Sequence, residues 1–555
     1  MQKNDTFKIV ITGITEDGDG IGRIPGDGRV VFCKGALAGE TVSVQIIKVT
    51  KDYAVARVNE ILDKSPDRAE PDCSHTGRCG GCSFRHCSYP AQLKIKQQYV
   101  RDCIERIGGF TDNNIEFLPI IGMNTPYNYR NKAIFPFSTD KNGSTVSGFY
   151  RKNSHAVIEI DNCKIENSMA SQIRLTVNEF ANNYNLPAYN EETGTGLIRN
   201  LMIRTSRSQN EAMAVLVING MSLPNADEFI SYLTEKCPFV GSVYLNLNTQ
   251  SGNKVVSDKF VHLYGKEKLR DSILDTWFDI SPMSFYQINP EQTDRLYSAV
   301  IDFADIRGSE NILDIYCGIG TIGLCLANCA QKAGTPIKSL TGIEYIRQAV
   351  IDAEHNATLN GITNAAFYDG DAGKVLATLS EKGLLAPKYD LVILDPPRKG
   401  CDKKLLDTAV SVNPEKIIYV SCNAATLARD LKYLREIGYE PQKVQPVDMF
   451  PYTGHVETVA LLSRQKVDEH IYLDVNVQDL PKTTRTTATY PEIKAYIKDK
   501  YGLNVTSLNI AQIKEKHGFE KRENYNKGKE GHRVPNCPPE KEKAIEDAFK
   551  HFGML

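Results

Sequence analysis

Cys422 stands where an apolar run stops. In "KIIYVSCNAATLARD" the stretch Ile417–Val420 reads as a buried strand, and the residues after Asn423 read as a helix. A packing cysteine would more naturally sit inside the apolar run. At the carboxyl end of a strand in an open α/β sheet, it stands where ligands bind. Its chemistry there would be nucleophilic. A free thiol has a pKa of about 8.5, so the site should favour the thiolate. A helix N-terminus beside the strand end can do so through its dipole.

A second constellation lies in "ILDIYCGIGTIGLCLA", which runs strand, glycine turn, helix. Gly318, Gly320 and Gly323 spell G-x-G-x-x-G, a turn that brings backbone close to a ligand at a helix N-terminus. Glu344 ends the next strand, at the spacing where an acidic residue holds ribose hydroxyls. A dinucleotide and S-adenosylmethionine both fit. Asp314, four residues before the first glycine, completes the Asp-x-x-x-Gly-x-Gly pattern of methyltransferases. Asp395 in "LVILDPPRKG" is a third acidic strand end and supports the same choice. Asp371 in "YDGDAGKVL" is placed near the adenine edge.

A third constellation is C-x5-C-G-G-C, formed by Cys73, Cys79 and Cys82, with Cys87 following. Thiols this close in a glycine-rich loop suggest a metal centre, and zinc and an iron–sulfur cluster both take four cysteines. Cys87 or the distant Cys163 of "IDNCKI" would be the fourth ligand, and spacing alone does not choose.

These groups need elements to position them. With 555 residues, the chain holds several domains at roughly 100–200 residues each. Its net charge of −2 makes any nucleic-acid surface a local patch. The first twenty residues show no signal peptide, and no apolar run approaches the roughly 20 residues of a membrane helix. The expectation is a soluble cytoplasmic protein whose 14 cysteines serve as thiols, metal ligands or catalysts rather than disulfides. Short β-rich runs with glycine turns between Phe7 and Leu62 predict a small β-barrel. Gln92–Ile107 reads as a helix. From Asn311 to about Leu462, strands and helices alternate as in a parallel sheet with covering helices. Lys466–Ala488 reads as a polar linker. Two short helices follow in Pro491–Gly518, with Ser507 as an N-cap, and a third spans Pro539–Gly553. The two-helix stretch has a helix-turn-helix-like pattern, and a small accessory helical domain explains it equally.

Several of these motifs occur together and in order. "GDGIGR", "VVFCKGALAGETV", "CGGCSFRHCSYPAQLKIKQ", "YRNKAIFPF", "SFYQIN", "DIYCGIGTIG", "LDPPRKG", "YVSCN" and "TGHVETVALL" run from Phe7 to about Leu462. In them the chain resembles the RNA uracil-5-methyltransferases that carry a TRAM barrel and an iron–sulfur cluster, the kind acting on 23S ribosomal RNA. The resemblance implies a multidomain α/β protein: an OB-like TRAM β-barrel over 1–64 and a central RNA-facing domain with the cluster over 65–270. A Rossmann-like S-adenosylmethionine methyltransferase domain over 271–465 follows. A small helical C-terminal extension over 466–555 lies outside the resemblance. It further implies a 4Fe-4S cluster on Cys73, Cys79, Cys82 and Cys163, leaving Cys87 spare. Gln287, Tyr316, Glu344 and Asp395 would contact S-adenosylmethionine, beside Gly318 and Asp371. Cys422 would be the nucleophile and Glu457 the general base, with His455 a weaker alternative. Arg130 and Lys132 are candidate RNA contacts, or ordinary surface charges. RNA is the expected partner and a monomer the expected state.

The implied chemistry accounts for the residue types. Carbon 5 of uracil is too weak a nucleophile to take a methyl group unaided. A thiolate adding at carbon 6 makes an enolate, carbon 5 attacks the sulfonium methyl, a base removes the remaining proton and the thiol leaves. The target nucleotide has to be flipped out of folded RNA. A transfer-RNA uridine is the alternative substrate. Methylation of an exocyclic amine would need no thiol, an oxidoreductase would bind nicotinamide or flavin, and a purely RNA-binding protein would not consume S-adenosylmethionine.

Overall fold

The computed structural model describes residues 1–111, 114–252, 254–465, 488–519 and 536–555. The chain divides into two compact units, 1–466 and 467–555. In the first unit, Thr6–Ile14, Asp19–Arg23, Val30–Lys34, Thr41–Val49 and Tyr53–Asp63 close into the expected barrel. Its sequence alternates with period two. Val42, Val44 and Ile46 turn inward while the residues between them stay half-exposed. Glycine is needed where the first two strands meet, because a Cβ on Gly22 would press on the Ile9 side chain and the Val10 carbonyl.

A seven-stranded sheet runs in the order Phe260–Gly265, Val240–Leu247, Glu211–Ile218, Ile198–Ser206, Lys132–Thr139, Thr145–Tyr150, Val157–Glu159. Helices Ser168–Asn183 and Ala226–Lys236 cover one face, and their apolar stripes share a core with it. The hairpin Leu269–Ile273/Thr276–Ile280 leads on to helix Pro290–Ala304.

The third sheet has eight strands, in the order Ala365–Asp369, Ser339–Glu344, Asn311–Ile315, Leu391–Leu394, Lys416–Ser421, Glu457–Arg464, Tyr439–Val447, Glu116–Phe117. Glu457–Arg464 runs antiparallel to both neighbours. The inner strands Asn311–Ile315 and Leu391–Leu394 are buried throughout, as the apolar runs of a sheet covered on both faces must be. Strand order reverses between these two, and the carboxyl ends at such a reversal are where open α/β sheets bind ligands. Ile312, Ile393, Ile418, Val420, Val459 and Leu461 belong to the core on one face; Leu313, Val392, Leu394, Ile417 and Tyr419 belong to the other.

Two elements within the expected central domain pack with this third sheet. Helix Tyr89–Arg106 begins three residues before the expected Gln92, and its Val100, Cys103 and Ile104 join the eight-stranded sheet's core. Glu116–Phe117 pairs with Tyr439–Val447 as the sheet's edge strand. The expected central domain is therefore interrupted by chain belonging to the third sheet.

In the second unit, helices Tyr490–Tyr501, Ser507–Lys516 and Pro539–His551 enclose a core of Ile493, Ile497, Ile510, Ile545 and Phe549. Thr506, not the expected Ser507, is the N-cap of the middle helix, its hydroxyl accepting from Asn509 N at 3.2 Å. Of the expected polar linker Lys466–Ala488, all but Ala488 lies outside the described residues. Among the described residues no helix is long and apolar enough to cross a membrane.

Candidate active site

Period two brings four reactive side chains to one place. Asp314, Asp395, Cys422 and Glu457 each lie two residues from a member of the same core face: Ile312, Ile393, Val420 and Val459. Asp395 and Cys422 follow strands that run one way, and Glu457 opens a strand that runs the other way. All therefore reach the carboxyl edge on the side covered by helix Pro290–Ala304. Ser421 registers with Thr458, so Cys422 and Glu457 stand one step beyond the last pair, facing each other across adjacent strands. Asn423 caps the helix Ala424–Glu436, its side chain accepting from Ala425 N at 3.0 Å and Thr426 N at 3.1 Å.

The glycine loop supplies the other wall. Tyr316 and Gly318 take positive φ, 66° and 56°. Glu344 receives Gly318 N at 3.2 Å and Ile346 N at 2.9 Å, fixing its carboxylate over the turn. Asp314 accepts from Gly323 N at 3.1 Å through one oxygen, and its other oxygen is buried without a partner. Gln287 is buried in the segment before helix Pro290–Ala304, where Asn131 Nδ2 donates to its backbone carbonyl at 2.9 Å. Asp371 is an exposed N-cap, accepting from Lys374 N at 3.2 Å and starting the helix Ala372–Glu381. Its carboxylate therefore has a structural task that the sequence reading did not give it.

Electrostatically the edge is acidic and strained. Burial raises Asp314 to about 8, Asp395 to about 7 and Glu457 to about 8, and Asp395 adds to the rise of both others. Cys422 is pushed up to about 11 by burial and then by Glu457 and Asp395. These influences run against the expected thiolate: burial, Glu457 and Asp395 all favour the protonated thiol. The arrangement favours an incoming cation, which would lower every one of these values. Sequence reasoning missed Arg398, whose charge opposes the rise at both Cys422 and Glu457. Its signal was its place three residues after Asp395. His455 is half-exposed, with Nδ1 3.6 Å from Glu16 of the barrel, so it faces away from the buried cluster.

Cys73, Cys79, Cys82 and Cys163 line one cavity of about 420 Å³. The thiols sense one another: the charges of Cys163 and Cys73 help raise Cys79, and that of Cys82 helps raise Cys163. Cys87 is buried elsewhere, among Leu37, Phe84 and Ala91, and is pushed up to about 12. Among the described residues no three or more His, Cys, Asp or Glu side chains are grouped so as to hold a metal ion. Arg130 and Lys132, the candidate RNA contacts, are only partly exposed and line this cavity beside Arg85.

Comparisons with known proteins agree with this architecture. The family model described as tRNA (uracil-5-)-methyltransferase matches residues 251–465, and the TRAM domain model matches residues 2–58. An uncharacterized RNA methyltransferase of Caldanaerobacter subterraneus subsp. tengcongensis is 43% identical over 460 residues, 83% of this chain and 98% of that protein. One of Halalkalibacterium halodurans is 42% identical over 462 residues, with the same coverage. The tRNA (uracil-54, C5)-methyltransferase of Pyrococcus abyssi, solved with S-adenosyl-L-homocysteine, superposes with a TM-score of 0.64 at 26% identity. That match covers 82% of this chain and all of the other. The chain belongs to the RNA uracil-5-methyltransferase family: it is an S-adenosylmethionine-dependent RNA methyltransferase with an N-terminal TRAM domain.

Proposed function

We propose that the protein methylates carbon 5 of a uridine in 23S ribosomal RNA through a covalent Cys422–uracil adduct, with Glu457 as the base. The observation that carries this reading is the facing pair Cys422 and Glu457 on one side of the sheet's carboxyl edge. S-adenosylmethionine, held by Gln287, Tyr316, Gly318, Glu344 and Asp395, supplies a methyl group on a sulfonium sulfur. With the sulfonium cation in place the Cys422 thiol gives its proton to water, its thiolate Sγ adds to carbon 6 of the flipped base, and the ring electrons move to the oxygen at carbon 4. Carbon 5 takes the methyl group, and its bond to sulfur breaks. Glu457 then takes the proton from carbon 5, the 5,6 double bond reforms, and the thiolate leaves. A cationic methyl donor beside Asp395 and Glu457 favours their ionised forms, which prepares Glu457 to accept that proton.

Cys73, Cys79, Cys82 and Cys163 would hold a 4Fe-4S cluster. The fit rests on four thiols lining one cavity, the donor set that a 4Fe-4S cluster takes. Arg85, Arg130 and Lys132 line the same cavity and offset the negative charge of four thiolates. The cluster would staple the 73–82 loop to the strand region around Cys163.

A transfer-RNA uridine is the second reading, favoured by the Pyrococcus abyssi enzyme's described substrate. Incubation with S-adenosylmethionine and 5-fluorouridine RNA tests both, since fluorine cannot leave as a proton and the methylated adduct stays on the protein. A denaturing-gel shift with 23S fragments that vanishes in Cys422→Ala supports the main reading. A shift with transfer RNA alone selects the second. Continued methyl transfer by Cys422→Ala refutes the covalent mechanism.

A further inference from the structure

We propose that Arg85 is a positioning residue for the loop that carries Glu457, joining the cysteine cavity to the base that completes methyl transfer. This rests on the reading of Glu457 as that base. Residues 448–456 link strand Tyr439–Val447 to strand Glu457–Arg464 without regular structure of their own. Groups from the first 130 residues hold the loop. Lys96 pairs with buried Asp448 at 2.5 Å and donates to the Phe450 carbonyl at 3.0 Å. Tyr129 OH donates to the Pro451 carbonyl at 2.9 Å. Tyr452 N donates to Gln92 Oε1 at 3.0 Å, and the Tyr452 carbonyl accepts from Ser83 N and Phe84 N at 2.9 and 3.1 Å. A Cβ on Gly454 would run into the Glu16 carbonyl, so the barrel also abuts the loop.

Tyr452 is the strained point of this loop. It is buried and takes φ +65°, a left-handed conformation that a bulky residue keeps only when its surroundings impose it. Arg85 lies on its ring, with the guanidinium carbon 3.7 Å from the centroid. Arg85 is itself buried, pairs with Asp72 at 2.9 Å, leaves its Nε without a partner, and lines the cavity of the four cysteines. One planar cation therefore touches both the cysteine cavity and the only described non-glycine residue of the loop with positive φ. Its loss frees Tyr452 five residues before Glu457, while Cys422 and the cofactor wall keep their own strand pairings.

The test separates the two halves of the reaction. Arg85→Ala, Arg85→Lys and Tyr452→Leu are compared with the wild type and with Glu457→Gln in the full chain. The readouts are S-adenosylmethionine affinity, fluorouridine adduct formation, turnover on ordinary RNA, and covalent complex on ordinary RNA. Misplacing the base should leave the first two unchanged. It should lower turnover by about 10- to 100-fold, and the methylated adduct should accumulate on ordinary uridine because its carbon 5 proton stays. Lysine keeps the charge but not the stacking plane, so Arg85→Lys should fall between Arg85→Ala and wild type. A proportional loss in all readouts, or unchanged turnover, overturns the proposal. If Arg85→Ala does not fold, Tyr452→Leu decides, since it removes the ring and leaves the cavity lining intact. If Glu457→Gln turns over normally without accumulating adduct, the base reading fails. If only Glu457→Gln accumulates it, the inference about Arg85 fails alone.

Discussion

The carboxyl edge of the eight-stranded sheet and the cysteine cavity are built on opposite principles. At the sheet edge, Asp314, Asp395, Cys422 and Glu457 are set by strand register; burial raises their proton affinity, and Asp395 adds to the rise at the other three. At the cavity, the thiols come from an irregular loop and a distant segment, and the guanidinium groups of Arg85 and Arg130 stand among them. One region is assembled by backbone pairing and suits a positive ligand. The other is assembled by side-chain convergence and suits a negative one. A preorganised edge can lose one group and keep its shape, whereas a convergent cavity depends on what ties it together.

The sharpest break in that contrast is at the edge. Glu457→Gln should lower turnover by about 10²- to 10⁴-fold, the usual contribution of a general base, while S-adenosylmethionine binding and thermal stability change little. Steady-state release of methylated RNA and calorimetry check this. An unfolded variant would show that the edge is not preorganised.

The cavity should respond the other way. Cys163→Ser should remove the visible iron–sulfur absorbance of anaerobically purified protein and lower its melting temperature by several degrees. Cys87→Ser should keep the absorbance, because Cys87 is buried outside the cavity. Loss of absorbance with Cys87→Ser and not with Cys163→Ser would exchange their assignments.

Charge preference at the edge gives a smaller effect. Asp395 at about 7 and Glu457 at about 8 are raised by burial, so they are protonated at low pH and ionise through that window. A cationic ligand favours the ionised forms. Affinity for S-adenosylmethionine should therefore rise by about tenfold from pH 6 to 8.5, whereas that for neutral-sulfur S-adenosylhomocysteine should stay nearly flat. Titration calorimetry of both ligands measures the difference, and parallel curves would remove the sulfonium from the argument.

The smallest effect concerns Asp371. As an N-cap, its replacement by alanine should cost about 1 kcal/mol of stability, and Asp371→Ser should restore most of it. A loss of cofactor affinity that serine does not restore would return Asp371 to the adenine edge.

Much of this was legible in the sequence where the cause is local. The barrel strands followed from short β-rich runs separated by glycine turns. The glycine loop, its acidic strand ends and the thiol after Ser421 followed from an apolar run meeting a turn, which a dozen residues decide. Tertiary structure alone decided what depends on distant chain. It put Cys163 rather than Cys87 in the cavity, brought helix Tyr89–Arg106 and strand Glu116–Phe117 onto the eight-stranded sheet, and laid Arg85 on Tyr452. It also surrounded Cys422 with groups that favour the protonated thiol, because the helix N-terminus is written beside the thiol, whereas Asp395 and Glu457 reach it only through the sheet. Backbone preferences act over a few residues and so appear in the sequence. Burial and charge act through space, between residues that only the packed chain brings together.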